Sequence, residues 1–105
     1  QNEVEPYIKI KFNNSVVANA ITMTSRNIYF REAPLIFGIY GVNENNQEIS
    51  LGKFIEFNWK NHETKLFPFK NKELYSIYII KMYKSSTNVI GMDKLNLGFL
   101  PHQKI

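Results

Sequence analysis

The chain has 105 residues, of which 44% are hydrophobic and 14% aromatic, and 13 Lys and Arg against 9 Asp and Glu give a formal net charge of +4. This length predicts one domain with a single hydrophobic core, and the apolar and aromatic content is too high for a disordered segment. The sequence contains no cysteine, which excludes disulfides, thiolate nucleophiles and Cys-ligated metal centres from it. No apolar run approaches the roughly 20 residues of a transmembrane helix, and the lysines are scattered as on a solvated basic surface.

The N-terminal part of the chain predicts two strands joined by a turn. Residues 7–12 alternate with a period of two, which places their apolar side chains on one face. Residues 13–15, Asn-Asn-Ser, have turn composition. Residues 16–24 then form a second β-rich run.

Residues 25–33 are predicted to form a loop, because Ser-Arg-Asn ends the β-rich run and Pro34 cannot donate a hydrogen bond to a neighbouring strand. The loop contains three consecutive large apolar residues, Ile28, Tyr29 and Phe30. Such residues either pack beneath the domain or contact a partner, and the sequence leaves both alternatives open.

Residues 35–42 and 74–84 are apolar on both faces, which is typical of central strands covered on both sides. Lys81 is the one charged residue inside the second segment, which ends at Lys84, so we expect the end of that strand to reach solvent.

The middle of the chain predicts a polar turn at 43–46 and a strand at 54–60. The alternation in this strand places three apolar side chains on one side: Ile55, Phe57 and Trp59. We therefore expect the lone tryptophan to lie in the core.

The C-terminal part predicts a short strand at 64–69, whose Pro68 suits an edge or a bend, and a turn at 70–73 before the second central strand. Residues 89–100 hold the last strand or two, with apolar side chains on one face: Leu95, Leu97 and Phe99. Short strands separated by turns, without a helical period, predict an all-β fold with little or no helix. A two-sheet antiparallel β-sandwich is the favoured architecture, and a small barrel is the alternative.

The sequence offers little for catalysis. Its one aspartate, Asp93, and its two histidines, His62 and His102, are far apart in the chain, and no nucleophile motif flanks them, although a Ser-His-Asp triad can be drawn on paper. The adjacent residues His62 and Glu63 provide only two ligands, which are too few to complete a metal site. The glycines occur singly rather than in a phosphate-binding loop. We expect no enzyme activity, no catalytic or metal-binding residues and no cofactor.

A rival hypothesis is single-stranded nucleic-acid binding by a small barrel. Residues 67–72 (Phe-Pro-Phe-Lys-Asn-Lys) and the nearby Tyr75, Tyr78 and Tyr83 combine rings that could stack on bases with lysines that could bind phosphates. Against it, the chain has only two arginines, its lysines alternate with glutamates, and the rings alternate onto both faces. An extracellular protein-binding domain is a third alternative.

Residues 21–40 (I-T-M-T-S-R-N-I-Y-F-R-E-A-P-L-I-F-G-I-Y) resemble the TssJ-type outer-membrane lipoproteins of type VI secretion systems. The resemblance consists of a strand, a loop with an Asn near its start, a proline and an apolar strand ending in Ile-Tyr. Residues 65–68 and 75–83 are similar to the penultimate strands of the family. Residues 41–50 depart from it, being too short and too polar for its Phe-rich helical segment, and the Asn- and Lys-rich composition suggests a divergent member, as in Francisella-type systems.

The resemblance implies a transthyretin-like β-sandwich at 7–105 and an N-terminal tether at 1–6. A lipidated cysteine ahead of Gln1 would anchor the tether in outer-membrane lipid on the periplasmic side. The protein would then be a scaffold without enzyme activity or small-molecule substrate, binding the periplasmic domain of a TssM-type inner-membrane protein.

The resemblance places the contact in the loop at 25–33, and the composition of this loop also favours an interface, because aromatic and arginine residues often anchor interfaces. Both arginines of the chain lie in it. The candidate partner-binding residues are Arg26, Asn27, Ile28, Tyr29, Phe30, Arg31 and Glu32.

Overall fold

The computed structural model describes residues 6–87 and 89–101 and is almost entirely β. Its strands are β1 (Tyr7–Val16), β2 (Ala20–Thr24), β3 (Pro34–Val42), β4 (Glu48–Ile55), β5 (Thr64–Pro68), β6 (Tyr75–Ser85) and β7 (Lys94–Gly98). One turn of 3₁₀ helix, Phe30–Glu32, lies between β2 and β3. Two antiparallel sheets pack together, which confirms the predicted all-β sandwich. The predicted tether at 1–6, apart from Pro6, and His102 lie outside the described residues.

The larger sheet has the strand order β1-β6-β3-β4, and the smaller has the order β5-β2-β7. The two segments that are apolar on both faces, β3 and β6, are central strands of the larger sheet, as predicted. Lys81 lies on the outer face of this sheet rather than at a strand end. Its Nζ is 2.6 Å from a carboxylate oxygen of Glu48 and 4.8 Å from the ring centroid of Tyr40.

The core lies between the sheets and is joined across them by aromatic rings. The rings of Phe37 on β3 and Phe67 on β5 meet edge to face, with centroids 4.9 Å apart. Ile21 and Met23 of β2 are fully buried against this cluster. Phe54 of β4 packs on both rings and extends the core to the edge of the larger sheet.

Tyr78 is hydrogen-bonded to the connection between β1 and β2. Its buried hydroxyl donates a hydrogen bond to the carbonyl oxygen of Val16 (2.7 Å) and accepts one from the backbone N–H of Ala18 (2.9 Å). Burial raises the pKa of Tyr78 above its ordinary value, because the phenolate would lose its hydration.

The turn predicted at 13–15 is wrong, because β1 continues through these residues to Val16 and the chain crosses between the sheets at 17–19. The pairing of β1 with β6 changes register between Lys11 and Val16. β1 is an edge strand with this stretch exposed, so polar side chains here cost little burial energy.

The strand predicted at 54–60 is wrong in extent, since β4 ends at Ile55. Trp59 is only 7% exposed, as predicted, but it lies in the following loop, where its Nε1 donates a hydrogen bond to the carbonyl oxygen of Pro34 (2.8 Å). The expected burial of Ile55 and Phe57 beside it is wrong, because both side chains are exposed. Phe99, which follows the end of β7, is likewise exposed.

Three connections lie at one end of the sandwich, which we call the triple-loop end: residues 25–33, residues 56–63 and the described part of residues 86–93. They meet there because β2, β4 and β6 end, and β3, β5 and β7 begin, at this end. The first strand also enters near it, since Tyr7 pairs with Lys81 and the carbonyl oxygen of Pro6 accepts a hydrogen bond from the N–H of Met82 (2.9 Å).

Candidate partner-binding site

The loop at 25–33 crosses from the smaller to the larger sheet, and its first residue is fixed to a neighbouring loop. Ser25 is fully buried, and its backbone N–H donates to the carbonyl oxygen of Glu63 (2.9 Å). Its hydroxyl donates to the carbonyl oxygen of Lys60 (2.5 Å) and accepts from the N–H of Glu63 (2.8 Å). The loop therefore starts from a rigid base shared with residues 56–63.

The tip of the loop has a strained backbone. Ile28 has φ 72°, a left-handed conformation that is unfavourable for a β-branched residue. Its N–H donates a hydrogen bond to Oδ1 of Asn61, and the N–H of His62 donates to the carbonyl oxygen of Arg26 (3.4 Å). These contacts hold the Ile28 side chain outward, where it is 73% exposed.

A second set of contacts braces the loop from within. An Arg26 guanidinium nitrogen lies 2.7 Å from a carboxylate oxygen of Glu32, and the guanidinium carbon is 4.8 Å from the ring centroid of Tyr29. The carbonyl oxygen of Glu32 accepts a hydrogen bond from the N–H of Gly91 (2.8 Å). The loop is thus tied to residues 86–93 as well.

The three apolar residues of the loop do not share one environment: some are exposed and one packs beneath the domain. Ile28 and Tyr29 are exposed, with Tyr29 at 54%, whereas Phe30 is half-buried and packs against the core. Arg31 is exposed, with its guanidinium carbon 5.0 Å from the ring centroid of Phe30. Asn27 is exposed as well. Of the seven predicted residues, five are therefore exposed, whereas Phe30 packs against the core and Glu32 is half-buried beside Arg26.

Sequence analysis missed a notch beside the loop. Its volume is about 110 Å³, and its lining comes from all three connections and from the start of β3: Phe30, Arg31, Leu35, Phe57, Trp59 and Ser86. No sequence signal marks Phe57 as part of this notch, because period-two alternation places it on the same side as Trp59.

The structure also brings together two members of the triad drawn on paper. Nε2 of His62 lies 3.1 Å from a carboxylate oxygen of Asp93, and both side chains are about half exposed. The nearby Ser25 hydroxyl is engaged with the backbone of Lys60 and Glu63 instead. Within residues 6–87 and 89–101, no group of three or more His, Cys, Asp or Glu could hold a metal ion.

Of the five rings invoked for nucleic-acid binding, four are buried in the core and one, Tyr83, is half-buried. Phe67, Phe69, Tyr75 and Tyr78 are all buried. Base stacking needs an exposed ring face, so these four rings are not available as a stacking platform.

Comparison of the sequence with protein-family models and with curated proteins gives no match. In the part of the chain that the structure describes, no helix has the length and apolarity needed to cross a membrane.

Proposed function

We propose that this protein is a non-catalytic, lipid-anchored periplasmic scaffold of a type VI secretion membrane complex, and that its triple-loop end binds the periplasmic domain of a TssM-type inner-membrane protein. The observation that carries the proposal is the exposure of Ile28 and Tyr29 on a loop whose backbone is fixed at both sides. Exposed apolar side chains held in one conformation lose little entropy on binding, which favours association.

The composition of the loop supports a protein partner. Tyrosine and arginine are enriched among the residues that dominate binding energy, and both arginines flank the apolar residues. The base of the loop is held in place, since the hydroxyl of the buried Ser25 is hydrogen-bonded to the backbone of Lys60 and Glu63.

The test is a binding measurement between the purified domain and the periplasmic domain of the TssM-type protein encoded with it. Tyr29→Ala should weaken binding by about 2 kcal/mol or more, roughly thirtyfold, as for a typical hot spot. Phe99→Ala is the matched control, because Phe99 is also an exposed aromatic residue, at 56%, but follows β7 at the opposite end of the sandwich. Equal binding by both variants would remove the loop from the interface.

A second measurement addresses the anchor. The full-length gene product should incorporate a labelled fatty acid and fractionate with the outer membrane. Secretion without lipid would favour the extracellular binding domain instead.

A further inference from the structure

We infer that the notch is a pocket for one side chain of the partner, and that it selects a segment in which an aliphatic residue lies next to an acidic residue. This inference rests on the proposed function, because the notch is part of the same partner-binding surface. It adds the chemistry of the partner segment, which the family resemblance does not supply.

The size and lining of the notch suit an aliphatic side chain. A volume of about 110 Å³ lies between the roughly 30 Å³ share of one water molecule and the roughly 150 Å³ of an apolar cavity that takes up benzene. Four of its six lining residues have apolar or aromatic side chains, and Arg31 and Ser86 supply polar groups. Phe57 lies at the rim of the notch and is 61% exposed. It leaves a large apolar surface in water, which is unfavourable unless a partner covers it.

The charge at the rim selects an acidic neighbour for that side chain. Arg31 lines the notch, and no carboxylate among the described residues lies within ion-pair distance of it. Glu32, which follows Arg31 in the chain, is engaged by Arg26 instead. The Arg31 guanidinium therefore keeps its donors for a ligand, and a guanidinium prefers a carboxylate as its partner.

The same imbalance holds for the whole triple-loop end. Its described acidic residues each have a cationic or histidine partner: Glu32 with Arg26, Glu56 and Glu63 with Lys65, and Asp93 with His62. Several exposed basic residues at this end have no ion pair within the described parts of the chain: Arg31, Lys60, Lys84 and Lys94. The end presents unbalanced positive charge, which complements an acidic segment and attracts it at long range.

The single tryptophan of the chain provides the readout. Trp59 lines the notch, so a side chain entering it changes the indole environment. The probes are three capped hexapeptides that differ only at the two central positions: Leu-Asp, Leu-Lys and Ser-Asp. Titrated into the intact domain, the Leu-Asp peptide should change the Trp59 emission and bind about tenfold more tightly than either of the others, as one charge-assisted contact or one buried aliphatic side chain provides.

Variants locate the site. Phe57→Ser should weaken Leu-Asp binding, and Arg31→Gln should abolish the preference for Asp over Lys while leaving the preference for Leu over Ser. Phe99→Ser and Lys72→Gln are the controls, because Phe99 is similarly exposed, at 56%, and both residues line a cleft at the opposite end of the sandwich. Equal binding of the three peptides, or an Arg31→Gln variant that still prefers Asp, overturns the inference.

The outcomes also separate this inference from the proposed function. A TssM-type domain that binds Phe57→Ser and Arg31→Gln normally but fails to bind Tyr29→Ala would retain the function and remove the notch from it. If the TssM-type domain does not bind at all but the Leu-Asp peptide does, the notch inference stands and the partner must be a different protein.

Discussion

An Arg26 guanidinium nitrogen lies 2.7 Å from a carboxylate oxygen of Glu32, six residues later in the chain. This ion pair joins the two ends of the candidate loop. Gly91 leaves room for this pair, because a Cβ at that position would lie 2.9 Å from Oε1 of Glu32. The brace therefore depends on a residue more than fifty positions downstream.

Gly91→Ala should displace the Glu32 carboxylate and release Arg26. The carboxylate is the mobile end of its side chain and Arg26 is partly exposed, so the free energy of unfolding should change by no more than about 1 kcal/mol. Binding of the TssM-type domain should weaken, because the loop loses its fixed conformation. Gly98→Ala is the control, since a Cβ there meets no atom within 4 Å. Unchanged binding by Gly91→Ala would mean that the brace does not contribute to the interface.

Neighbouring aromatic residues in the loop should differ in their effect on stability. Tyr29→Ala should change the free energy of unfolding by less than about 1 kcal/mol, as is usual for an exposed side chain. Phe30→Ala should cost about 2 kcal/mol, less than the 3–5 kcal/mol of a fully buried phenylalanine, because Phe30 is half-buried. Urea denaturation of both variants measures the difference, and equal losses would place both rings in one environment.

The lone tryptophan should report its burial directly. Native emission of Trp59 should lie at shorter wavelength than that of the urea-unfolded chain, because the indole is buried. Trp59→Phe should cost about 1–3 kcal/mol by removing the hydrogen bond to the carbonyl oxygen of Pro34. Circular dichroism monitors unfolding of this variant, which has no tryptophan. Native emission already at the unfolded wavelength would contradict the position of the ring.

Alkaline pH should destabilise the fold through Tyr78. Burial raises the pKa of Tyr78, so the folded protein keeps the phenolic proton to a higher pH than the unfolded chain, in which tyrosine ionises near about pH 10. The stability contributed is complete below that pH and is lost as the pH rises through the folded-state pKa.

Tyr78→Phe should therefore flatten the dependence of stability on pH above about 10. At neutral pH it should cost about 1–3 kcal/mol, since the Val16 carbonyl and the Ala18 N–H lose their shared partner. Chemical denaturation across the pH range measures both effects. An identical alkaline decline in the variant would assign the effect to other groups.

The central strands could be predicted from sequence because β3 and β6 are apolar on both faces, a pattern that few other positions in a small domain produce. The segment after β4 could not, since Phe57 and Trp59 fit the same period-two pattern. What separates them is a hydrogen bond from the indole to Pro34, 25 residues away, which holds one ring inside and leaves the other at the rim of the notch.

The position of the candidate loop could be predicted, but the orientation of its side chains could not. The exposure of Ile28 depends on a hydrogen bond to Asn61, and the brace at Glu32 depends on the space left at Gly91. Both residues lie on other connections, which only the folded topology brings to this end.

The entry point of β1 has a consequence for the geometry of assembly. Because Pro6 lies beside Met82, near the triple-loop end, a short connection from Pro6 to the proposed lipid anchor would turn the candidate binding surface toward the anchoring membrane. A partner reaching from the opposite membrane must then fit into the gap between lipid and domain. Under the proposed anchoring, each residue between the lipid and Pro6 would widen that gap by at most about 3.3–3.6 Å, so the length of this connection would limit how thick a partner segment can enter.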